Sequence, residues 1–352
     1  MNDAATLRES APARPAPPPR RRLDFFAVAV RFQSVIGLLV VAIGGVIFSP
    51  RRHGMILFLA PDNMANIVRA VSETGIIAVG MTFVIITAGI DLSVGALLSL
   101  SSVLTATIMT TAGWDLAPTL LFVMVCGAAF GAAQGIISTR FRLEPFIVTL
   151  AGLQVARGLA LVISGNQYIN ISYGHGPGLA PPIFSVLGDR LFGNIVPVAT
   201  LVFVVVAFVA TFVLNFTRFG RYVFAVGGNE RAARLSGVPV TLVKISVYAI
   251  TGLVSAIAGI VHAGQFNFGS ANDGTGYELT AIAAVVIGGT SLFGGSGSMV
   301  GTVAGAVMLG ALANVLQLNN INAALQLLAT GAIIVLAAVL QSLVRRREGL
   351  GR

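Results

Sequence analysis

Residues 217 to 241, TRFGRYVFAVGGNERAARLSGVPVT, form the one long polar, helix-capable segment between blocks of apolar sequence. Asn229 is placed to cap a short helix that opens with Glu230 and continues through Arg231, Ala232, Ala233, Arg234 and Leu235; Gly237 takes the position just past its end and Pro239 follows. Glu230 favours the positive end of the helix dipole and Arg234 the negative end, and their spacing lets them pair. About two turns of helix are too short to be stable alone in water. The segment needs something to pack on, and Ala232, Ala233 and Leu235 offer a small apolar face that another protein can approach closely.

The surrounding chain supplies a membrane. It is 56% apolar and 10% charged, whereas soluble domains carry about 25% charged residues. The mean hydropathy is +0.90. We therefore expect an all-α, polytopic integral membrane protein. A net charge of +9 and a pI near 10.9 would suit nucleic acid, but no stripe of Lys and Arg interleaved with aromatics lies outside the membrane-flanking segments, so no nucleic-acid partner is expected. The single Cys126 lies in an apolar run, which excludes an intrachain disulfide and a thiolate metal cluster. Lys244 is the only lysine and follows Val243 rather than Gly, so the chain has no Walker A loop and binds no ATP by that route.

Taken in order, residues 1–31 read as a disordered, basic, Pro-rich cytoplasmic tail. Residues 32–344 form the transmembrane domain, with 217–241 as a cytoplasmic loop, and residues 345–352 form a second basic cytoplasmic tail. The first apolar run, 32–49, is expected to remain as an anchor, not a cleaved leader. Residues 62–74 read as an amphipathic or interfacial connector, because their charges exclude them from the hydrocarbon. Further spans are expected at 75–90, 92–112, 117–139, 145–164, 194–216, 242–264, 279–292, 299–316 and 322–344, which gives about ten in total. With both termini inside, only Arg51, Arg52, Arg69 and Arg190 of the 22 Lys and Arg residues fall outside, and Arg157 is buried.

Glycine, 41 residues, concentrates around TAGIDLSVG (Gly80, Gly89, Gly95) and VVIGGTSLFGGSGSMVG (Gly288, Gly289, Gly294, Gly295, Gly297, Gly301). Apolar segments broken by Gly and small polar residues suit discontinuous helices along a polar path; close helix packing accounts for many of the same glycines. Asp91, Arg157 and Glu278 are the ionisable residues nearest the hydrocarbon, where a charge costs about 2.5 to 3.5 kcal/mol on insertion scales. Arg157 is the deepest. It is expected to pair with Asp91 or Glu278, or to cap carbonyls at a broken helix, a structural role rather than substrate contact. Residues 266–278, FNFGSANDGTGYE, carry Asn267, Asn272, Asp273, Tyr277 and an aromatic pair, groups suited to sugar hydroxyls and ring faces, although turn chemistry explains the same composition. The candidates for the translocation path or its gating are Asp91, Ser93, Arg157, Asn267, Tyr277, Glu278, Gly288 and Gly289. Gly294–Gly297 also matches the G-x-S-G of rhomboid-type intramembrane proteases, with His262 as a base. Those enzymes place the Ser helix before the His helix, and here the order is reversed.

The runs GMTFVIITAGIDLSVGALLSLSS, EPFIVTLAGLQVARGLALVISG, RFGRYVFAVGGNERAARLSGV and FGSANDGTGYELTAIAAVVIGGTSLFGGSGS together resemble the ribose, xylose and galactose type of bacterial ABC sugar importer permease, over about residues 67–345. The resemblance implies a permease in the bacterial cytoplasmic membrane that pairs with a second copy and receives a monosaccharide or polyol from a periplasmic or extracellular binding protein. A separate cytoplasmic ATPase, which binds the ATP, would drive it. It also implies that Asn229 to Gly237 is the coupling helix: Glu230, Ala232, Ala233 and Gly237 resemble the Glu-Ala-Ala and Gly of that family's ATPase-binding loop, with Arg231 intervening. The rival class is an ion-gradient-driven transporter of a small neutral solute, for which Asp91 is the candidate.

Overall fold

The computed structural model describes residues 33 to 347; the amino-terminal tail of residues 1–31 and the last residues of the carboxy-terminal tail, 348–352, lie outside the described residues. Twelve helices follow one another among them: α1 Gln33–Phe48, α2 Pro61–Ile86, α3 Val94–Thr110, α4 Leu116–Phe141, α5 Pro145–Ser164, α6 Val198–Phe216, α7 Arg218–Gly228, α8 Glu230–Leu235, α9 Val240–Phe266, α10 Tyr277–Ile287, α11 Met299–Leu318 and α12 Ala323–Arg347. Six of them (α2, α4, α5, α6, α9 and α11) are long and apolar enough to cross a membrane, and α1, α3, α10 and the first part of α12 are shorter apolar helices. The chain is a multi-pass α-helical membrane protein.

Local sequence sets the ends. Pro145 at the first position of α5 follows Glu144, and Gly165 closes that helix with φ +59°. Ser298 caps α11 by accepting a hydrogen bond from the Gly301 amide at 3.1 Å. Thr217 does the same for α7 through the Gly220 amide at 3.2 Å.

At the centre stand α2 and α9. Ile76, Ile77, Val79, Met81, Phe83 and Ile85 of α2 point in every direction and all are buried, the pattern of a helix enclosed by others. It packs on α6, α9, α10 and α11, while α9 packs on α2, α3 and α4. The α4–α9 contact is backbone to backbone: Gly127, Gly131 and Gly135, one per helical turn, face Gly252, the Tyr248 carbonyl and the Ile245 Cα. Lipid tails are as apolar as Leu, so close packing, rather than escape from water, holds such helices together. The outer faces of α5 and α6 present apolar side chains, Val162 at 80% and Phe208 at 72% exposure, as lipid-facing surfaces do.

Two expectations change. Residues 62–74 are not an interfacial connector but the first half of α2, which runs unbroken from Pro61 to Ile86. Their charges are met by distant residues: Asp62 pairs with Arg190 at 3.1 Å, Arg69 donates to Gln265 at 2.8 Å, and Glu73 bonds His262 at 2.9 Å. The expected span over 279–292 is instead the short helix α10, which stops at Ile287 and gives way to a glycine-rich loop before α11.

A side chain on the α4 seam has nowhere to go. Gly131→Leu is expected to destabilise the protein by about 1 to 3 kcal/mol, whereas Gly158→Ala on α5, where an added Cβ meets open space, stays within about 0.5 kcal/mol. Thermal unfolding in detergent reads the difference, and equal melting of the two variants would contradict the packing described.

Candidate functional site

Helix α8 has the ends its sequence calls for. The Asn229 side-chain oxygen accepts from the Ala232 amide at 3.0 Å. At the other end the Gly237 amide bonds the Arg234 carbonyl at 3.1 Å and the Val238 amide bonds the Ala233 carbonyl at 3.0 Å, with Gly237 at φ +81°. These two bonds make a Schellman motif. Glu230 pairs with Arg234 at 3.1 Å, and also with Lys244 of α9 at 2.6 Å. The second partner fastens α8 to a membrane-spanning helix. The Lys244 hydrogen bond, with its charge and that of Arg234, holds the Glu230 carboxyl below the ordinary glutamate value. A depressed carboxylate pKa stabilises above the ordinary value and loses its effect only as pH falls through the lowered one, so this clamp persists across the neutral range. The expected apolar face loses one of its three members. Ala233 turns into the core because it sits over the bundle, while Ala232 is exposed and Leu235 stands 91% exposed at the tip.

The two glycine-rich segments come together near this end of the bundle. Asp91, buried in the break between α2 and α3, accepts from the Ser93 amide at 2.9 Å and the Ser93 hydroxyl at 2.6 Å, and Gln134 donates to the Ser93 hydroxyl at 2.9 Å. Asp91 is thus held inside its own turn and not by Arg157. From the break between α10 and α11, the Gly295 amide donates to the Ile86 carbonyl at 2.9 Å. Gly288 packs on the backbone of Gly301 and Thr302, and Gly289 takes φ +90°. The hydroxyls of Thr82 and Thr302 meet at 2.8 Å between α2 and α11.

Further along α3, Arg157 of α5 donates to the Ser99 hydroxyl at 2.6 Å, to the Asp273 carbonyl at 2.9 Å and to the Ala271 carbonyl. Of the alternatives open in the sequence, it takes the last, capping carbonyls in the turn between α9 and α10. Behind that turn His262 lies between two carboxylates. Its Nδ1 is 2.9 Å from Glu73 Oε2; its Nε2 is 3.1 Å from Asp273 Oδ2, within ion-pair reach but not aligned for a hydrogen bond. The Tyr277 hydroxyl donates to the same Glu73 oxygen at 3.3 Å. Asn267, at φ +59°, accepts from the Tyr173 hydroxyl, and the Glu278 carboxylate lies against Gly95. Tyr277, Glu278 and Arg157 are therefore brought around one turn; Asp91 and Ser93 lie just before the Gly95 that Glu278 abuts, and Gly288 and Gly289 lie at the break after α10. His262 is committed to Glu73 and Asp273, and Ser296 belongs to the loop whose Gly295 bonds Ile86.

Glu73 and His262 were not paired by sequence reasoning. The signal was present, since each is an ionisable residue in an apolar helix and needs a partner there. Between α2, α10, α11 and α12 lies a cavity of about 660 Å³ whose polar lining includes Asn66, Thr74, Tyr277, Thr280, Asn314 and Gln317. Hydroxyls and amides on otherwise apolar walls suit a neutral, hydrogen-bonding solute.

Comparison with known proteins agrees on one family. Residues 63–338 match the family described as "Branched-chain amino acid transport system / permease component". The chain is 40% identical to the ribose import permease protein RbsC of Bacillus subtilis over 324 residues, which is 91% of this chain and 95% of the relative. It is 40% identical to RbsC of Escherichia coli K12 over 286 residues, 81% of this chain and 87% of the relative. The xylose transport system permease protein XylH of Escherichia coli K12 is 34% identical over 343 aligned positions, 83% of this chain and 87% of the relative. No solved structure matches the chain significantly.

Removing one member of the buried charged cluster strands the others. Glu73→Ala is expected to cost about 3 to 5 kcal/mol of stability and Glu73→Gln less, because the amide keeps a hydrogen-bonding oxygen. Unfolding midpoints in lipid or detergent measure both, and an unchanged midpoint for Glu73→Ala would contradict the cluster.

Proposed function

Because the chain belongs to this family of transport-system permease components, we propose that it is the membrane-spanning subunit of an ATP-driven importer for a monosaccharide or related polyol. The carrying observation is α8: a helix too short to stand alone, capped at both ends, clamped to α9 through Glu230 and Lys244, and presenting an exposed Leu235. Such an element is built to be held rigid while a partner grips it. That partner is a separate ATPase subunit, which binds the ATP; the sole lysine of this chain is occupied by Glu230.

The α8 end faces the cytoplasm, in line with the excess of Arg and Lys there, and both termini lie on that side of the bacterial cytoplasmic membrane. A second copy of the permease completes the pathway, and a periplasmic or extracellular binding protein delivers the sugar at the end where Asn267, Tyr277 and the polar cavity lie. The names of the ribose and xylose relatives support a monosaccharide. Residues at the breaks, Asp91, Ser93, Gly288 and Gly289, gate the pathway rather than bind sugar, while Arg157 and Glu278 hold the outer turn in shape. Asp91 gives a gradient-driven mechanism little support, since it is already satisfied by Ser93.

Co-purification from the native membrane tests this. The tagged chain is expected to retain an ATPase subunit. Glu230→Arg, which sets a third cation against Lys244 and Arg234, and Gly237→Pro, which cannot adopt φ +81°, are expected to weaken retention at least about tenfold. Both variants should still insert. Full retention by well-inserted variants would remove α8 from the docking role.

A further inference from the structure

Three segments far apart in sequence meet backbone to backbone where α7 leads into α8. The Ile86 carbonyl, in the last turn of α2, has no partner within its own helix and accepts the Gly295 amide at 2.9 Å. Gly227, near the end of α7, lies against both: a Cβ there would overlap the Ile86 carbonyl and fall 2.6 Å from the Gly295 nitrogen. Gly295, at φ +75°, in turn abuts the Gly228 backbone. Two residues past the end of α2, Ala88 holds φ +59°, a conformation that a residue with a Cβ rarely adopts. Two bonds fix it there, from its own amide to Ile85 at 2.9 Å and from the Gly89 amide to Val84 at 3.0 Å, and a Cβ on Gly294 would come within 3.0 Å of the Ala88 methyl.

We propose that this junction of Ile86 to Ala88, Gly227 and Gly294 to Gly295 is the joint that carries movement of α8 to the two broken helices, with Gly227 as its positioning residue. The proposal rests on the docking of an ATPase at α8. Side chains at a contact absorb a displacement by changing rotamer; a carbonyl wedged between two glycine backbones has no such slack. A shift of α7 and α8 therefore moves the end of α2 and the loop between α10 and α11 together. Those elements lead directly to the cavity walls: α2 carries Asn66 and Thr74, α10 carries Tyr277 and Thr280, and α11 carries Asn314 and Gln317. The neighbouring glycine supplies the control, because a Cβ on Gly228 meets open space.

The test uses the purified complex of the full chain with its ATPase, in a Cys126→Ala background carrying Gln317→Cys on the cavity wall. Labelling by a fluorescent maleimide is timed without nucleotide and after trapping with ATP and vanadate. The unsubstituted junction is expected to show a nucleotide-dependent labelling rate. Gly227→Ala is expected to keep the ATPase subunit and its hydrolysis while the nucleotide-dependent change shrinks at least about fivefold, and Gly228→Ala is expected to behave as the parent. Ala88→Gly adds no atom and removes the methyl against Gly294; it is expected to fold and to shrink the change in the same direction, which keeps the proposal testable if Gly227→Ala fails to fold. A full nucleotide-dependent change in Gly227→Ala or Ala88→Gly, or an equal loss in Gly228→Ala, overturns the joint alone. Failure of the unsubstituted chain to retain an ATPase overturns the docking role and the joint with it.

Discussion

A helix that ends packed inside a bundle leaves carbonyl groups that need partners from the protein itself, and the architecture here follows from where those groups find them. The end of α2 finds one in the Gly295 amide, supplied by the loop between α10 and α11. The turn between α9 and α10 finds one in Arg157, whose guanidinium serves two of its carbonyls and the Ser99 hydroxyl. Each solution ties together segments more than a hundred residues apart. Glycine is the enabling residue at the first site because only a backbone without Cβ lets two other main chains approach one carbonyl.

Charge obeys the same rule. Glu73, His262 and Asp273 form a buried cluster joining α2, α9 and the turn before α10, with the Tyr277 hydroxyl on the same carboxylate oxygen. A buried ion cluster contributes little net stability over a well-packed apolar one, but it penalises any arrangement in which one member is left alone. That penalty holds one wall of the polar cavity, at Tyr277, in a single arrangement. At the α8 end, Glu230 has partners on both sides, one in its own helix and one on α9. Helix α8 is thereby made part of the bundle.

Features whose causes are local were legible in the sequence. The Asn229 cap, the Gly237 turn and the Glu230–Arg234 pair all depend on residues within one short stretch, and all are present. The apolar runs marked most helices, and the glycine clusters marked the breaks. What the sequence hid was non-local. Asp62, Arg69 and Glu73 read as charges that keep 62–74 out of the hydrocarbon, because nothing nearby announces that Arg190, Gln265 and His262 will meet them. Arg157 showed the need for a partner but not which one, since main-chain carbonyls carry no sequence signature. Nothing near Gly227 in the sequence marks its contact with the Ile86 carbonyl.

A membrane chain without a Walker A loop that borrows its energy through α8, as proposed, can transport only with its ATPase. Proteoliposomes containing the chain with its ATPase and binding protein measure this most directly, with radiolabelled ribose or xylose as the probe. Uptake is expected to require ATP and to continue after ionophores collapse all ion gradients. Uptake by the chain alone, driven by an imposed ion gradient and indifferent to ATP, would contradict it.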